Sequence, residues 1–321
     1  MAALLAVEVF KLRKRWMPWI LLGILLALLT IIHFGIYAAH QATLLGAPES
    51  PAEADLPSNL SEEQRRQLRE RLEEAQRENR QSQAAELRRI LTFPNALASA
   101  FSVGQSVGGL LLVVLAASVV GAEYAWGTVR TNLIRGPGRA WYLGAKLLLL
   151  VLLALAALVV LFAASALYTL ITTSLVAGGI DWDFLGWGFL GRVLAAFGRT
   201  WFVMTLPMLM ASLVAVATRS SAAAIGVGIG YIFLEAIVVG ILGTVSGWGE
   251  TLRQYTIGYN VTAIMTMNTL GAGEVPLVGI NLILLDEPPG FFRAAGVLLG
   301  YALFFLGLAF YLFRKRDVAA A

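Results

Sequence analysis

Long runs of apolar residues, separated by short polar segments, dominate this chain. Six of the runs reach the length of about 20 residues that an α-helix needs to cross the hydrocarbon core of a bilayer. The pattern therefore predicts six membrane-spanning helices within 321 residues. The predicted spans are Trp16–Ala39, Leu97–Val120, Trp141–Ala177, Thr200–Ala217, Ala222–Val245 and Ala294–Phe313.

The composition agrees with this pattern. Apolar residues make up 58% of the chain and charged residues 14%, and the mean hydropathy is +0.75. A soluble domain contains about 45–50% apolar and about 25% charged residues. We therefore expect an all-α polytopic membrane protein whose single transmembrane domain covers residues 1–321. The absence of cysteine excludes disulfides and thiolate chemistry.

The positions of Lys and Arg predict the orientation, because loops on the cytoplasmic side carry an excess of both. With the N-terminus inside, half of the 24 basic residues fall in the four cytoplasmic segments. Both termini are then cytoplasmic, and the membrane is the cell membrane. The net charge of +4 reflects this bias and does not indicate nucleic-acid binding.

The N-terminal residues 1–15 combine apolar positions with a terminal cluster of Lys and Arg. Such a segment can form a helix that lies in the membrane interface, with its cations on lipid headgroups. It can equally be a simple positive flank of the first span.

The insert between the first two spans, residues 41–95, is proline-rich at first and then strongly charged. Ser61 and Gln64 have the spacing of a capping box, which predicts the start of an exposed helix outside the membrane. The helix either continues to about Leu91 or turns at Asn79–Gln83 to form a hairpin. Its role is either docking on the outer face or that of a solvated spacer.

Two short stretches resemble motifs of ATPases. LILLDEPPG (Leu282–Gly290) resembles a Walker B strand, and FSVGQS (Phe101–Ser106) resembles the LSGGQ signature. However, the chain contains no GxxxxGK[ST] loop to hold phosphates. The predicted topology also places both stretches on the outer side. We therefore expect that this chain does not itself hydrolyse ATP.

A more specific resemblance lies after the second span, in AEYAWGTVRTNLIRGPGRAWYLGAK (Ala122–Lys146). This segment is similar to the E-x₃-GT-x-R … P-x-R … K pattern of ABC-2 type transporter permeases. The matching residues are Glu123, Gly127, Thr128, Arg130, Pro137, Arg139 and Lys146.

The resemblance implies that the chain is the permease subunit of an ATP-binding cassette exporter. Residues 121–141 would be the cytoplasmic coupling segment, seated on a separate ATPase subunit that carries ATP and Mg. Two permease copies, identical or different, would form the substrate pathway, and residues 246–293 would form short helices in the outer leaflet. We expect Glu123 to order the coupling segment from within, near Arg130 and Arg135. Arg130, Arg135 and Arg139 have the chemistry to bind carboxylates of the ATPase.

Polar residues inside predicted spans are candidates for a substrate path, because they are costly in a bilayer. Glu235 lies well within the fifth span, and Arg199 at the start of the fourth is a potential partner. His33 and His40 share one face of the first helix. Two histidines do not complete a metal site, so no metal is expected, and polar packing is the simpler interpretation.

A pattern of small residues concerns the packing of the fifth span. Ala222, Gly226 and Gly230 recur at every fourth position. Small residues at this spacing form a face that favours close contact between helices in a membrane.

Two other functions remain open. One is a membrane scaffold or sensor without transport activity, whose charged outer helix binds a partner. The other is an intramembrane hydrolase that uses His33, His40 and Glu235.

Overall fold

The computed structural model describes residues 2–45, 61–128, 138–245, 247–271 and 288–315. These ranges are almost entirely helical and contain no strand. In chain order, the helices are α1 (Ala2–Arg13), α2 (Trp16–Leu45), α3 (Glu62–Leu91), α4 (Ala98–Val103), α5 (Gly109–Ala125), α6 (Arg139–Ala177), α7 (Trp187–Thr218), α8 (Ser221–Thr244), α9 (Trp248–Arg253), α10 (Ile257–Met265) and α11 (Phe291–Lys315). A π-helical turn, Gly104–Gly108, joins α4 to α5.

Within these ranges, six helical stretches are long and apolar enough to span a bilayer, which confirms the predicted number. The second of them combines a 3₁₀ turn, α4, the π-helical turn and α5. A bilayer offers no partner for an exposed backbone N–H or C=O, so spanning segments must satisfy these groups within the helix. The six stretches are Trp16–Leu45, Asn95–Tyr124, Arg139–Ala177, Trp187–Thr218, Ser221–Thr244 and Phe291–Lys315.

The fourth spanning helix differs most from its prediction. It begins at Trp187, well before the predicted Thr200. The apolar pattern misses this first part because Arg199 interrupts the run. In the structure the Arg199 side chain is accommodated within the bundle, where its Nε donates a hydrogen bond to Asn268 Oδ1 at 2.8 Å. The third spanning helix, α6, is continuous over 39 residues, as its long apolar run predicts.

The core of the bundle lies where α5, α7 and α8 pack against one another. Glycines allow the closest approaches. A Cβ on Gly121 would lie 2.7 Å from the Ser221 backbone, and a Cβ on Gly228 would lie 2.5 Å from Val113. These contacts bring the end of α5 against the start of α8, and the middle of α8 against the middle of α5.

The predicted packing face of α8 is not the one that packs within the described part of this chain. A Cβ added at Gly226 or at Gly230 would have no neighbouring atom within 4 Å, and Ala222 is exposed. Gly228 and Ala224 are buried instead. The spacing of small residues shows that a face of the helix can pack closely. Which of these faces is buried depends on the positions of the neighbouring helices.

The charged helix α3 is continuous, so the hairpin alternative is wrong. At the position of the proposed turn, the Gln83 side chain donates a hydrogen bond to the Asn79 side chain one helical turn earlier. The capping box is confirmed, because the side chains and backbones of Ser61 and Gln64 bond reciprocally. Most of α3 is exposed, while Leu91 at its end is buried. The proline-rich lead before Ser61 lies outside the described residues.

Basic side chains collect at one end of the bundle, which we call the basic end. The residues just before α2, the end of α5, the start of α6 and the end of α11 meet there. Lys146 pairs with Glu123, Arg15 lies over the Trp126 ring, and Arg139 donates to the Arg314 carbonyl oxygen. The basic residues at this end that the structure describes are Lys11, Arg13, Lys14, Arg15, Arg139, Lys146, Arg219, Arg314 and Lys315.

We predict that Gly121→Ala lowers the thermal stability of the purified protein. The added methyl group would meet the Ser221 backbone, which cannot move without separating α5 from α8. Overpacking of this kind costs about 1–3 kcal/mol. The measurement is the melting temperature in detergent. Gly226→Ala is the matched control, since it adds the same group where no neighbour lies within 4 Å. Equal melting temperatures for the two variants would contradict the predicted packing.

Candidate functional site

Three helices are joined at the basic end by a buried cluster of charges. It comprises Glu8 and Lys11 of α1, Glu123 near the end of α5, and Lys146 near the start of α6. We call these four residues the charge cluster. Glu8, Glu123 and Lys146 are each 5% exposed or less, so their charges are held inside the protein and not at its surface.

Lys146 is the centre of the charge cluster. Its Nζ lies 3.0 Å from Glu8 Oε2 and 2.8 Å from Glu123 Oε1. Lys11 Nζ lies 2.8 Å from Glu8 and 3.6 Å from Glu123 on the other side of the two carboxylates. The Tyr142 hydroxyl donates a further hydrogen bond to Glu123. Each carboxylate therefore contacts both ammonium groups.

The charges of the cluster balance, and that balance permits their burial. A buried ion is costly unless it is paired and hydrogen-bonded. Burial raises the pKa of Glu8, but the Lys146 charge and the hydrogen bonds from Lys11 and Lys146 outweigh it, so the pKa lies below its ordinary value. Glu8 is thus ionised at neutral pH. Its contribution to stability is present above the ordinary carboxyl pKa and is lost as the pH falls through the lowered value.

The ends of the predicted coupling segment are anchored in this region. Gly127 adopts a left-handed conformation with a φ of 64°, and the Thr128 hydroxyl donates to the Glu123 carbonyl oxygen at 3.4 Å. On the far side, Arg139 begins α6, and its Nη1 donates to the Arg314 carbonyl oxygen at 3.0 Å, near the end of α11. Arg130, Arg135 and Pro137 lie outside the described residues.

Within the described residues, the partners of Glu123 are Lys146, Lys11 and Tyr142. Its predicted role in ordering the segment that contains Arg130 and Arg135 stays a prediction, because both arginines lie outside the described residues. The family pattern includes Lys146 only as its last residue, yet Lys146 is the buried centre of the cluster. Neither Glu8 nor Lys11 is among the predicted site residues. One signal points to the first of them, since Glu8 is the only acidic residue before Glu49.

A second polar site lies deeper in the bundle, beside Glu235. It is a cavity of about 100 Å³ lined by α5, α7, α8, α10 and α11 and by the π-helical turn. Most of its walls are apolar, and its polar side chains are Gln105, Ser106, Tyr231 and Glu235. Gln105 and Ser106 belong to the π-helical turn, a type of irregularity that is frequent at functional sites.

Glu235 caps the N-terminus of α10. Its Oε1 accepts a hydrogen bond from the Gly258 backbone N–H at 2.9 Å, and it also accepts from the Ile257 backbone and the Tyr231 hydroxyl. Free N–H groups at a helix start carry partial positive charge, which favours a carboxylate. The residue therefore holds a short helix in place while it borders the cavity.

The three predicted substrate-path residues are not brought together. Arg199 bonds to Asn268, and Glu235 bonds to the backbone of α10, so the alternative in which the two residues pair is not observed among the described residues. His33 lies buried between α2 and α6, where its Nε2 is 3.1 Å from the Thr172 hydroxyl. The hydrolase hypothesis requires His33 beside Glu235, and these contacts place the two groups against different helices.

His40 lies seven residues beyond His33 on the same face of α2. It is buried, and its Nδ1 has no hydrogen-bond partner within the described part of the chain. Among the described residues, no three His, Cys, Asp or Glu side chains are arranged to hold a metal ion.

We predict that Lys146→Met destabilises the protein by about 3–5 kcal/mol, the usual cost of removing one member of a buried ion pair. The loss leaves two carboxylates in contact with only Lys11 to balance them. The measurement is thermal unfolding in detergent. Lys315→Met is the matched control, because Lys315 is an exposed lysine whose ammonium donates to the Tyr311 hydroxyl and not to a carboxylate.

The triple variant Glu8→Gln, Glu123→Gln, Lys146→Met should regain much of the lost stability, since it buries no unpaired carboxylate. A Lys146→Met loss no larger than that of Lys315→Met would show that the charge cluster does not stabilise the fold.

Comparison with known proteins adds a family but no activity. No curated protein and no solved structure shows a significant match to the chain. A family model described as a protein of unknown function, DUF2705, matches residues 100–319. The match includes most of the second spanning helix and all of the four that follow it, together with Glu123, Lys146 and Glu235. The chain therefore belongs to the DUF2705 family.

Proposed function

We propose that this chain is the permease subunit of an ATP-binding cassette exporter, and that it works as a dimer with separate ATPase subunits. The observation that carries the proposal is the charge cluster, because it fixes both helices that flank the E-x₃-GT-x-R pattern. Glu123 is the first residue of that pattern and Lys146 is the last residue of the similar segment.

The proposal requires a rigid mount for the coupling segment. Glu123 lies at the start of the segment and Lys146 follows its end. The two side chains pair with each other, and Lys146 also pairs with Glu8 of α1. Arg139 adds a contact to the end of α11. A force applied to residues 121–141 would therefore reach α1, α5, α6 and α11 together. An ATPase that closes on ATP could move these four helices as a unit.

The substrate pathway would form between two permease chains, since six helices supply half of a pathway. The outward faces of α8 and α11 are apolar and open to such contact. Phe233, Leu234 and Ile237 on α8, and Leu303 and Phe304 on α11, are between 48% and 61% exposed. The cavity beside Glu235 would then offer polar groups to a substrate within the membrane. Export is the direction implied by the resemblance to ABC-2 type permeases.

One observation favours the alternative of a scaffold or sensor. Helix α3 is an exposed helix of 30 residues with acidic residues in its first turn and basic residues in its last. Its end is buried against the bundle, where the Leu91 carbonyl oxygen accepts a hydrogen bond from Thr172 of α6. A partner that bound α3 could therefore act on α6 without any transport.

We predict that a nucleotide-binding subunit co-purifies with this chain and that Arg130→Glu reduces its retention at least tenfold. The reversal places a negative charge where the proposed interface needs a cation to meet carboxylates. The measurement is the amount of ATPase subunit retained per permease chain after affinity purification. Arg192→Glu is the matched control, because Arg192 is exposed on α7 and is predicted to lie on the outer side.

Two results would contradict the proposal. One is purification of the wild-type chain from native membranes without any protein that contains a GxxxxGK[ST] loop. The other is full retention, and full stimulation of ATP hydrolysis in liposomes, for both Arg130→Glu and Arg135→Glu. In either case the scaffold or sensor alternative would be favoured.

A further inference from the structure

A large apolar groove separates the first spanning helix from the rest of the bundle near the basic end. Helices α1 and α2 form one wall, and α5 and α6 form the other. The groove has a volume of about 410 Å³. Leu22 and Leu25 line it on α2, Leu111 lines it on α5, and Leu153 and Ala157 line it on α6.

The groove has the depth of a single membrane leaflet. Along α6 its lining residues extend from Leu149 to Val160, which corresponds to about 16 Å at 1.5 Å per residue. The hydrocarbon core of a bilayer is about 30 Å thick, so one leaflet contributes about half of that. With the basic end at one surface of a bilayer, a groove of this length would reach about the middle of the hydrocarbon core.

The mouth of the groove is positively charged. Among the described residues, Arg13 is the only charged one that lines it, and the next two residues are Lys14 and Arg15. The Arg13 guanidinium has no carboxylate partner within the described part of the chain, whereas Lys11 nearby is paired with Glu8 and Glu123. Trp19 also lines the mouth, where its indole N–H donates to the Arg13 carbonyl oxygen at 3.2 Å.

We propose that the groove binds a membrane phospholipid with an anionic headgroup, whose acyl chain lies between α2 and α6 and whose phosphate contacts Arg13. Helices in a bilayer associate through close packing. Where two helices leave an apolar cleft between them, lipid acyl chains fill it. Guanidinium groups bind phosphate oxygens with two parallel hydrogen bonds. The apolar walls, the leaflet depth and the cationic mouth together fit this occupant. The inference does not depend on the proposed export.

The bound lipid would have a defined position on the protein. Gly108 and Met204 line the inner end of the groove, and a Cβ on Gly108 would lie 2.9 Å from the Met204 side chain. Gly108 is the last residue of the π-helical turn. The end of the acyl chain would thus contact the same turn that borders the Glu235 cavity.

The test uses the quenching of Trp19 fluorescence by brominated lipids in vesicles. The full chain is reconstituted in phosphatidylcholine vesicles that contain a minor fraction of brominated phosphatidylglycerol or of brominated phosphatidylcholine. The Trp19 signal is the difference between the wild type and Trp19→Phe. Both lipids carry the phosphate, but the choline cation of phosphatidylcholine is repelled by the cationic mouth of the groove. We therefore expect brominated phosphatidylglycerol to quench this signal at least threefold more strongly than brominated phosphatidylcholine at the same fraction.

Two variants locate the headgroup and the acyl chain. Arg13→Gln should remove the preference for phosphatidylglycerol, and Ala157→Phe should fill the groove and reduce quenching by both lipids. Arg192→Gln is the control and should keep the wild-type preference.

Three results would each overturn the proposal. The first is equal quenching by the two lipids in the wild type. The second is a preference that survives Arg13→Gln, and the third is unchanged quenching in a folded Ala157→Phe protein. Native mass spectrometry, which counts bound phosphatidylglycerol on the wild type and on Arg13→Gln, gives an independent measurement if Ala157→Phe does not fold.

Discussion

The contact of Lys146 with two carboxylates is the interaction on which the basic end of this protein depends. An ammonium group that is 3% exposed is stable only if opposite charges reach it, and here they arrive from two other helices. The cost of leaving any member unpaired ties the relative positions of α1, α5 and α6 to one another. The hydrogen bonds within the pairs also weaken as their angles depart from linear, a directional requirement that apolar contacts lack.

In the interior of the bundle, buried polar side chains also need partners from other parts of the chain, and there the partners are neutral groups. Thr200 and Arg199 both bond to Asn268, and His33 bonds to Thr172. Glu235 satisfies backbone N–H groups at the start of α10. Each of these polar side chains is therefore used to join two parts of the bundle. In a membrane, where burial of apolar surface contributes little to helix association, such bonds help to select one arrangement of the helices.

Sequence reasoning is reliable where one helix decides the outcome. The number of spanning helices follows from apolar length, and the start of α3 follows from the local hydrogen bonds of Ser61 and Gln64. Sequence reasoning fails where the outcome depends on a neighbouring helix. Gly228 and Gly226 are equivalent in the sequence of α8, and only the position of Val113 makes one buried and the other exposed. The partner of Arg199 lies 69 residues away, and no local pattern connects them. The pairing of Glu8 with Lys146 spans 138 residues. The sequence shows that an acidic residue at position 8 is unusual, but it does not show which residue Glu8 contacts.

The π-helical turn has a geometric consequence for the two spaces on either side of it. In a helical backbone, residues two positions apart point to nearly opposite sides, so Ser106 and Gly108 face different neighbours. Ser106 borders the cavity beside Glu235, and Gly108 borders the groove beside Leu25. At this level a single turn of backbone separates the cavity beside Glu235 from the apolar groove. The residue that faces the groove, Gly108, has no side chain. The second spanning helix therefore packs in the core and also separates the cavity from the groove by the width of its backbone.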